Sequence, residues 1–386
     1  MTKKTILTAE DRQQRYAQFR DFLKAQGADG ALVCGDGAIK FLGGEYVSTW
    51  GTLILFPVAG EPVMFSGSPG REYVLTPMHK NIADYWVQDI RINSPESIAG
   101  AFAEKGLMGK TIGMTLGAMP YGVYAMVSGV LKGCEIKDIT GPFFEMRKCK
   151  SGNYRKLIDE AIDIVDTCIR EMEDKLRIGM TEYEVWSVIH STMERRGAEG
   201  SLILINSDKK DISAPAMPCD HAPKVIQAGE TLVAEVTVNF RGCWLQKIVI
   251  CAFGAVDPDI QRLHDTVTDA ILANVGMVKP GVKGVDVIAA IDDYIESKGF
   301  LSPRKDYVSG PQGHLSGYEL DEGGFGPDFT FKEGMLFVLH PGAALPGWKE
   351  GEKGIFGPGM MFLVTADGVE QLSKVPNHIV TVTQSK

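Results

Sequence analysis

Two runs of alternating residues, Thr231–Phe240 and Cys243–Phe253, separated only by Arg241-Gly242, constrain this chain more than any other feature. Successive side chains of a strand point to opposite faces, so the pair reads as a long hairpin with a tight turn. Ala234, Val236 and Val238 share one face of the first strand, and Glu235, Thr237 and Asn239 the other. On the return strand Trp244 and Gln246 share a face. Two environments fit this pattern. Either the polar face meets solvent, or a carboxylate and an amide lie inside an apolar sheet. In the second case each needs a partner, because an unpaired buried polar group costs about 1–3 kcal/mol.

Around the hairpin the chain alternates strands and helices in two textures. Residues 9–26 form an expected amphipathic helix with Tyr16, Phe19, Phe22 and Leu23 inward. Short strands at Ala31–Cys34, Thr52–Phe56, Pro62–Phe65 and Thr111–Leu116, with helices at Glu72–His79 and Tyr121–Leu131, imply an α/β domain over residues 1–150. The polar stretch Phe144–Ser151 marks the boundary, and a long helix follows over about 152–176. Residues 151–386 then read as α+β. Helices at about 182–197, 256–276 and 284–298 surround the hairpin and the late strands Met335–His340, Met360–Thr365 and His378–Thr383.

Composition excludes several functions. With 40 Lys and Arg against 49 Asp and Glu the net charge is −9, and no basic block is present, which argues against nucleic acid or an anionic membrane as partner. No apolar run approaches the ~20 residues that span a bilayer, and the start Met1-Thr2-Lys3-Lys4-Thr5 is not an apolar signal core. Seven scattered cysteines without a Cys-x-x-Cys pair fit reduced thiols in a cytoplasm. Glycine is in excess, 44 residues, clustered at Gly310–Gly317, Gly323–Pro327 and Gly354–Gly359, yet none of these is a phosphate loop.

Three of the seven histidines stand in loops or at strand ends: His221 in Pro218–Pro223, His314 in Gly313–Gly317, and His340 before Pro341-Gly342. Imidazole titrates near neutrality and suits a general acid or base. His79, His190, His264 and His378 lie on expected helices or near a strand and read as structural.

The order of these features resembles a family. A boundary helix follows Lys148–Ser151, and a loop histidine precedes Gly229–Val233. The hairpin closes at Gly254, and then come Gly313-His314-x-x-Gly317, Leu339–Gly342 and Leu363–Gly368. The chain looks like creatinase, aminopeptidase P, prolidase and methionine aminopeptidase, which share the pita-bread fold, here with the smaller N-terminal domain of the creatinase and prolidase branch. In metal-dependent members two Asp, one His and two Glu hold two divalent ions. Carried over by position, these become Glu235, Gln246, His314, His340 and Gly359 or Pro358. Only the histidine is retained, so the resemblance implies a pit without metal or other cofactor. A second family histidine is Asp321 here, followed by a retained Glu322.

Creatinase, in which a loop histidine works without metal, implies acid/base chemistry by His221 or His340. Glu235 with Asp321 or Glu322 would orient that histidine or stabilise positive charge, and His314 and Gln246 would hydrogen-bond the substrate. The aromatic residues Tyr46, Trp50, Trp244, Tyr318, Phe325, Trp348 and Phe356 imply a small aromatic or otherwise apolar substrate. The expected function is metal-independent C–N hydrolysis in a homodimer, the N-terminal domain of one subunit near the other's pit. A lyase cleaving a C–C or C–S bond and a non-catalytic peptidase-like binding module are the alternatives.

Overall fold

The computed structural model describes residues 5–49, 51–67, 85–220, 222–305 and 312–386. The expected helix over 72–79, Trp50 and His221 lie outside them. The chain divides into two units, Met1–Arg147 with Ser151–Tyr154, and Lys148–Lys150 with Arg155–Lys386.

In the first unit, α1 (Ala9–Ala25) starts at a capping box in which the Thr8 and Asp11 side chains each bond the other's backbone N–H. It buries Tyr16, Phe19 and Leu23. There follow β1 (Gly30–Val33), α2 (Asp36–Gly43), β2 (Leu53–Pro57), β3 (Val63–Ser66), β4 (Asp89–Ile92), α3 (Pro95–Glu104), β5 (Thr111–Met114), α4 (Tyr121–Val130), β6 (Glu135–Asp138) and α5 (Thr140–Arg147). The strands make a six-stranded mixed sheet in the order β4-β3-β2-β1-β5-β6. β1 is fully buried, which is why its apolar run is continuous rather than alternating.

The first helices of the second unit are α6 (Tyr154–Lys175), whose first residue belongs to the first unit, and α7 (Glu182–Arg195), begun by a second capping box, Thr181 and Glu184. Next come β7 (Gly200–Asp208), β8 (Asp211–Ile212), β9 (Glu230–Phe240), β10 (Cys243–Phe253), α8 (Pro258–Asn274) and α9 (Gly284–Ser297). The chain continues through β11 (Gly313–Ser316), β12 (Leu336–Leu339), β13 (Gly342–Ala344), β14 (Gly354–Phe356), β15 (Met360–Val364), β16 (Val369–Gln371) and β17 (Val380–Val382). Three sheets result: β17-β10-β9-β7, β11-β12-β15-β16 and β13-β14-β8.

The expected hairpin is β9–β10, in register from Phe240↔Cys243 to Glu230↔Phe253. Its turn places Arg241 at φ 52° and Gly242 at φ 80°, the paired positive angles of a two-residue hairpin turn. The Asn239 side chain accepts from Gly242 N–H at 2.9 Å, which offsets part of the cost of a positive φ at arginine. Cross-strand pairing puts Glu235 opposite Ile248 and Gln246 opposite Thr237, so all four share one face. That face is buried: Glu235, Thr237 and Gln246 are each less than one-tenth exposed. A continuous core cluster fills its other end, where Val233, Ile248 and Ile250 meet Leu263 and Val267 of α8 and Phe337 and Leu339 of β12. Truncating a Phe such as Phe337 there costs about 3–5 kcal/mol by this burial.

Candidate active site

The polar end of the hairpin face meets the sheet built on β11 and β12. Trp244 N–H donates to the Gly317 carbonyl at 2.7 Å, and Ser316 Oγ donates to the Trp244 carbonyl at 2.8 Å. Farther along β10, Ile248 and Gly359 exchange two backbone hydrogen bonds of 3.4 and 3.1 Å. β10 is thereby stitched to the end of β11 and to the start of β15, with Gln246 between the two attachments.

On β11 and β12 alternation separates two faces. Leu315, Phe337 and Leu339 enter the core cluster, while His314, paired with Val338, and His340 beyond it take the opposite face. The two imidazole centroids are 5.3 Å apart at 63°, and the Phe356 ring lies 5.1 Å from His340. His314 Nδ1 is 3.0 Å from the Leu315 carbonyl, which only accepts, so Nδ1 carries the hydrogen and Nε2 is the acceptor of the neutral ring.

Burial sets the electrostatics. Glu235 has one side-chain donor, Thr237 Oγ1 at 3.4 Å, and desolvation pushes its carboxyl up to about 7. His340 is pushed down to about 3, by burial first and by the charge of neighbouring His314 second. Burial and that neighbouring charge both favour the neutral imidazole, an environment that suits a hydrogen-bonding group. Two buried atoms here have no partner, Gln246 Nε2 and His340 Nδ1.

Several other expected residues have different surroundings. Glu322 is not free to hold a substrate: its carboxylate ion-pairs with Lys150 and accepts from Tyr318 N–H at 2.8 Å, both charged side chains being 2% exposed. Tyr318 is buried beside that pair, the Lys150 Nζ 5.8 Å from its ring centroid. Asp321 faces solvent, its side chain 58% exposed, accepting from Gly323 N–H at 2.7 Å with an oxygen 3.8 Å from His314 Nδ1. Phe325 is half-buried and packs against the core, its ring 5.3 Å from Phe331 and 5.2 Å from Phe329. Trp244 is half-buried with its indole against Gly200, and Tyr46 is half-buried in the first unit. Lys150 was not foreseen as part of this region; a lysine in a polar boundary stretch carries no sign of a carboxylate 172 residues away.

The profile of metallopeptidase family M24 matches residues 156–366, and that of the creatinase/prolidase N-terminal domain matches residues 15–149. The chain belongs to metallopeptidase family M24. Among its relatives, the Xaa-Pro dipeptidase of Pyrococcus horikoshii is 21% identical over 93% of this chain and 97% of its own length. The uncharacterized peptidase YqhT of Bacillus subtilis is 24% identical over 61% of this chain and 67% of its own. The fold is that of the X-Pro aminopeptidase of Thermotoga maritima (TM-score 0.77, 20% identity, 95% of this chain and 99% of that one). The Xaa-Pro dipeptidase of Bacillus anthracis shares it too (TM-score 0.78, 20% identity, 96% and 100%).

Family membership implies a metal centre, and the residues at the ligand positions do not fit one. They comprise one carboxylate, one amide, two imidazoles and a glycine. The amide turns an unpartnered NH2 group, a donor with no lone pair to give, into the buried face. At Gly359 the space a side chain would need is filled, because a Cβ there would lie 2.9 Å from Cδ1 and Cγ1 of Ile248. Ile248 Cβ is also within 3.0 Å, so a side chain at position 359 requires Ile248 to shift. Among the described residues no group of three or more His, Cys, Asp and Glu is arranged to hold a metal ion. Nor is any described helix long and apolar enough to cross a membrane.

Proposed function

We propose that this family member is a metal-independent hydrolase of C–N bonds in small organic molecules, aromatic ones included. The observation that carries the reading is the donor set: ligand positions that hold a single carboxylate among neutral hydrogen-bonding groups, with Ile248 crowding the place of the last carboxylate. Hydrolysis is supported by the relatives, which are named as peptidases and dipeptidases. In this reading the Glu235 carboxylate takes a proton from water as the water oxygen adds to the carbonyl carbon. Gln246 N–H steadies the oxyanion that develops. The proton then passes to the leaving nitrogen, the C–N bond breaks, and a carboxylic acid and an amine or ammonia leave. Glu235 replaces His340 as the proton carrier, while His221 keeps the role that its creatinase-like position suggests.

Two results test this. Glu235→Gln lowers kcat on any true substrate by about 10²–10⁴ without a matching change in substrate affinity, measured by steady-state kinetics and equilibrium binding. Undiminished turnover sinks the assignment. Millimolar Mn, Co or Zn leaves the melting temperature of the purified protein unchanged, whereas a specific site filled at 100 times its Kd adds about 2.7 kcal/mol. A saturable rise in melting temperature with one metal would return the chain to metal-dependent chemistry. We also take the working form to be a homodimer; light scattering at the mass of one 42.0 kDa chain would refute that.

A further inference from the structure

The two unpartnered atoms say more about what the pit takes. Gln246 is 1% exposed and His340 3%, and a buried donor without an acceptor costs roughly 1–3 kcal/mol. Backbone pairing links the two: Ile248, two residues beyond Gln246, bridges Gly359, and the next residue, Met360, pairs with Leu339 beside His340. Gln246 sits between the attachments of β10 to Gly317 and to Gly359, and His340 stands over Phe356 and beside His314. A metal would not relieve the amide nitrogen; a carbonyl oxygen would, and it has lone pairs for two donors.

Resting on the hydrolase reading above, we propose that the pit recognises an uncharged planar amide that keeps its own N–H: a carboxamide, a lactam or a cyclic ureide. The ligand carbonyl accepts from Gln246 Nε2–H and from His340 Nδ1–H. The ligand N–H donates to His314 Nε2, whose Nδ1 is already occupied by the Leu315 carbonyl. The Phe356 ring supplies a flat apolar wall next to His340. Charge separates this ligand from a zwitterionic dipeptide. A free carboxylate needs a cation, and Lys150, behind Gly317, is held by Glu322. A carboxylate would also meet the acidic side chain of Glu235 on the same face as Gln246.

The test is calorimetric titration of the full-length protein with benzamide, benzoate and N,N-dimethylbenzamide. 2-Pyrrolidinone and N-methyl-2-pyrrolidinone serve as a smaller pair. The amides bearing N–H bind at least about tenfold more tightly than benzoate or the N-methylated partners, because each comparison leaves one buried group unpaired. Gln246→Met removes about tenfold of that affinity and does not lower the melting temperature of the ligand-free protein, since it deletes an unsatisfied group. His340→Phe, read in the same way, decides if Gln246→Met does not fold. Benzoate binding as tightly as benzamide, unchanged amide affinity in both variants, or no binding by either N–H amide overturns the inference. Ammonia release separates it from the hydrolase reading. Selective binding without release from any carboxamide keeps the recognition and removes hydrolysis. Preferred cleavage of a zwitterionic dipeptide does the reverse.

Discussion

Glu235→Gln makes the protein more stable above neutrality by about 3 kcal/mol relative to its effect at pH 4.5, measured by urea unfolding of both proteins across that range. The sign follows from linkage. The carboxyl titrates at an ordinary 4.5 in the unfolded chain and at about 7 in the fold, so between those values the folded state holds a proton that the unfolded state has lost. Stability therefore falls as pH rises through the window, by about 1.4 kcal/mol per pH unit, and the loss is complete above pH 7. A glutamine removes that slope. His340 acts with the opposite sign. Its imidazole goes from about 6.5 unfolded to about 3 folded, so its contribution is whole above pH 6.5 and is lost as pH falls towards 3. From pH 4.5 to 6.5 the two slopes cancel in the wild type. Removing the carboxyl exposes the histidine slope, and the variant climbs with pH where the wild type is level. A pH-independent difference between the two proteins would mean that Glu235 is solvated and not a buried acid.

Much of the scaffold was legible in the sequence, because local patterning carries it. The hairpin could be placed from alternation and its Arg241-Gly242 turn, and α1, α7, α8 and α9 from sequence pattern, within a few residues of their observed ends. β7 escaped notice. Its apolar run, Leu202–Ile205, is only four residues long and flanked by Ser and Asn, and it becomes a strand by pairing with β9 from Thr231 to Asn239. The site was legible as a set of residue types and not as a set of environments. Glu235 and Gln246 give the same alternation whether their face meets water or a second sheet, and only the stitching of β10 to Gly317 and Gly359 decides for burial. The surroundings of His340 could not be read from its neighbours in the chain, because the burial and the His314 charge that favour its neutral form arise from the fold. Glu322 looked like an open carboxylate because nothing near it in the chain announces Lys150.

That ion pair gives an expected stability loss as large as truncating a core phenylalanine. Lys150→Met leaves the Glu322 carboxylate in a site 2% exposed, with the Tyr318 N–H donor but without its cation, and the expected cost is about 3–5 kcal/mol. Glu322→Gln alone strands the ammonium beside the Lys148 carbonyl, 2.9 Å away, with a cost of the same order. The double variant recovers at least about 2 kcal/mol of the summed losses, since an apolar side chain and a neutral amide leave no charge behind. Denaturant unfolding of the four proteins closes the cycle, and additive losses would show that the pair is solvated. The geometry predicts a third route to the same damage. Gly317 has φ 143°, and a Cβ there would lie 2.1 Å from Lys150 Cε, so Gly317→Ala must expel the lysine from its site. Replacing Lys150 by Ala beforehand removes that collision, and Gly317→Ala then costs only its backbone strain, about 1–3 kcal/mol. Lys150 N–H also donates to the Gly334 carbonyl at 2.8 Å, so one residue ties the start of the second unit to the segment leading into β12 and to the loop that follows β11. β11 carries His314, and His340 directly follows β12. Loosening Lys150 should therefore reach the candidate site as well as the fold, lowering turnover in the fraction of Lys150→Met that remains folded.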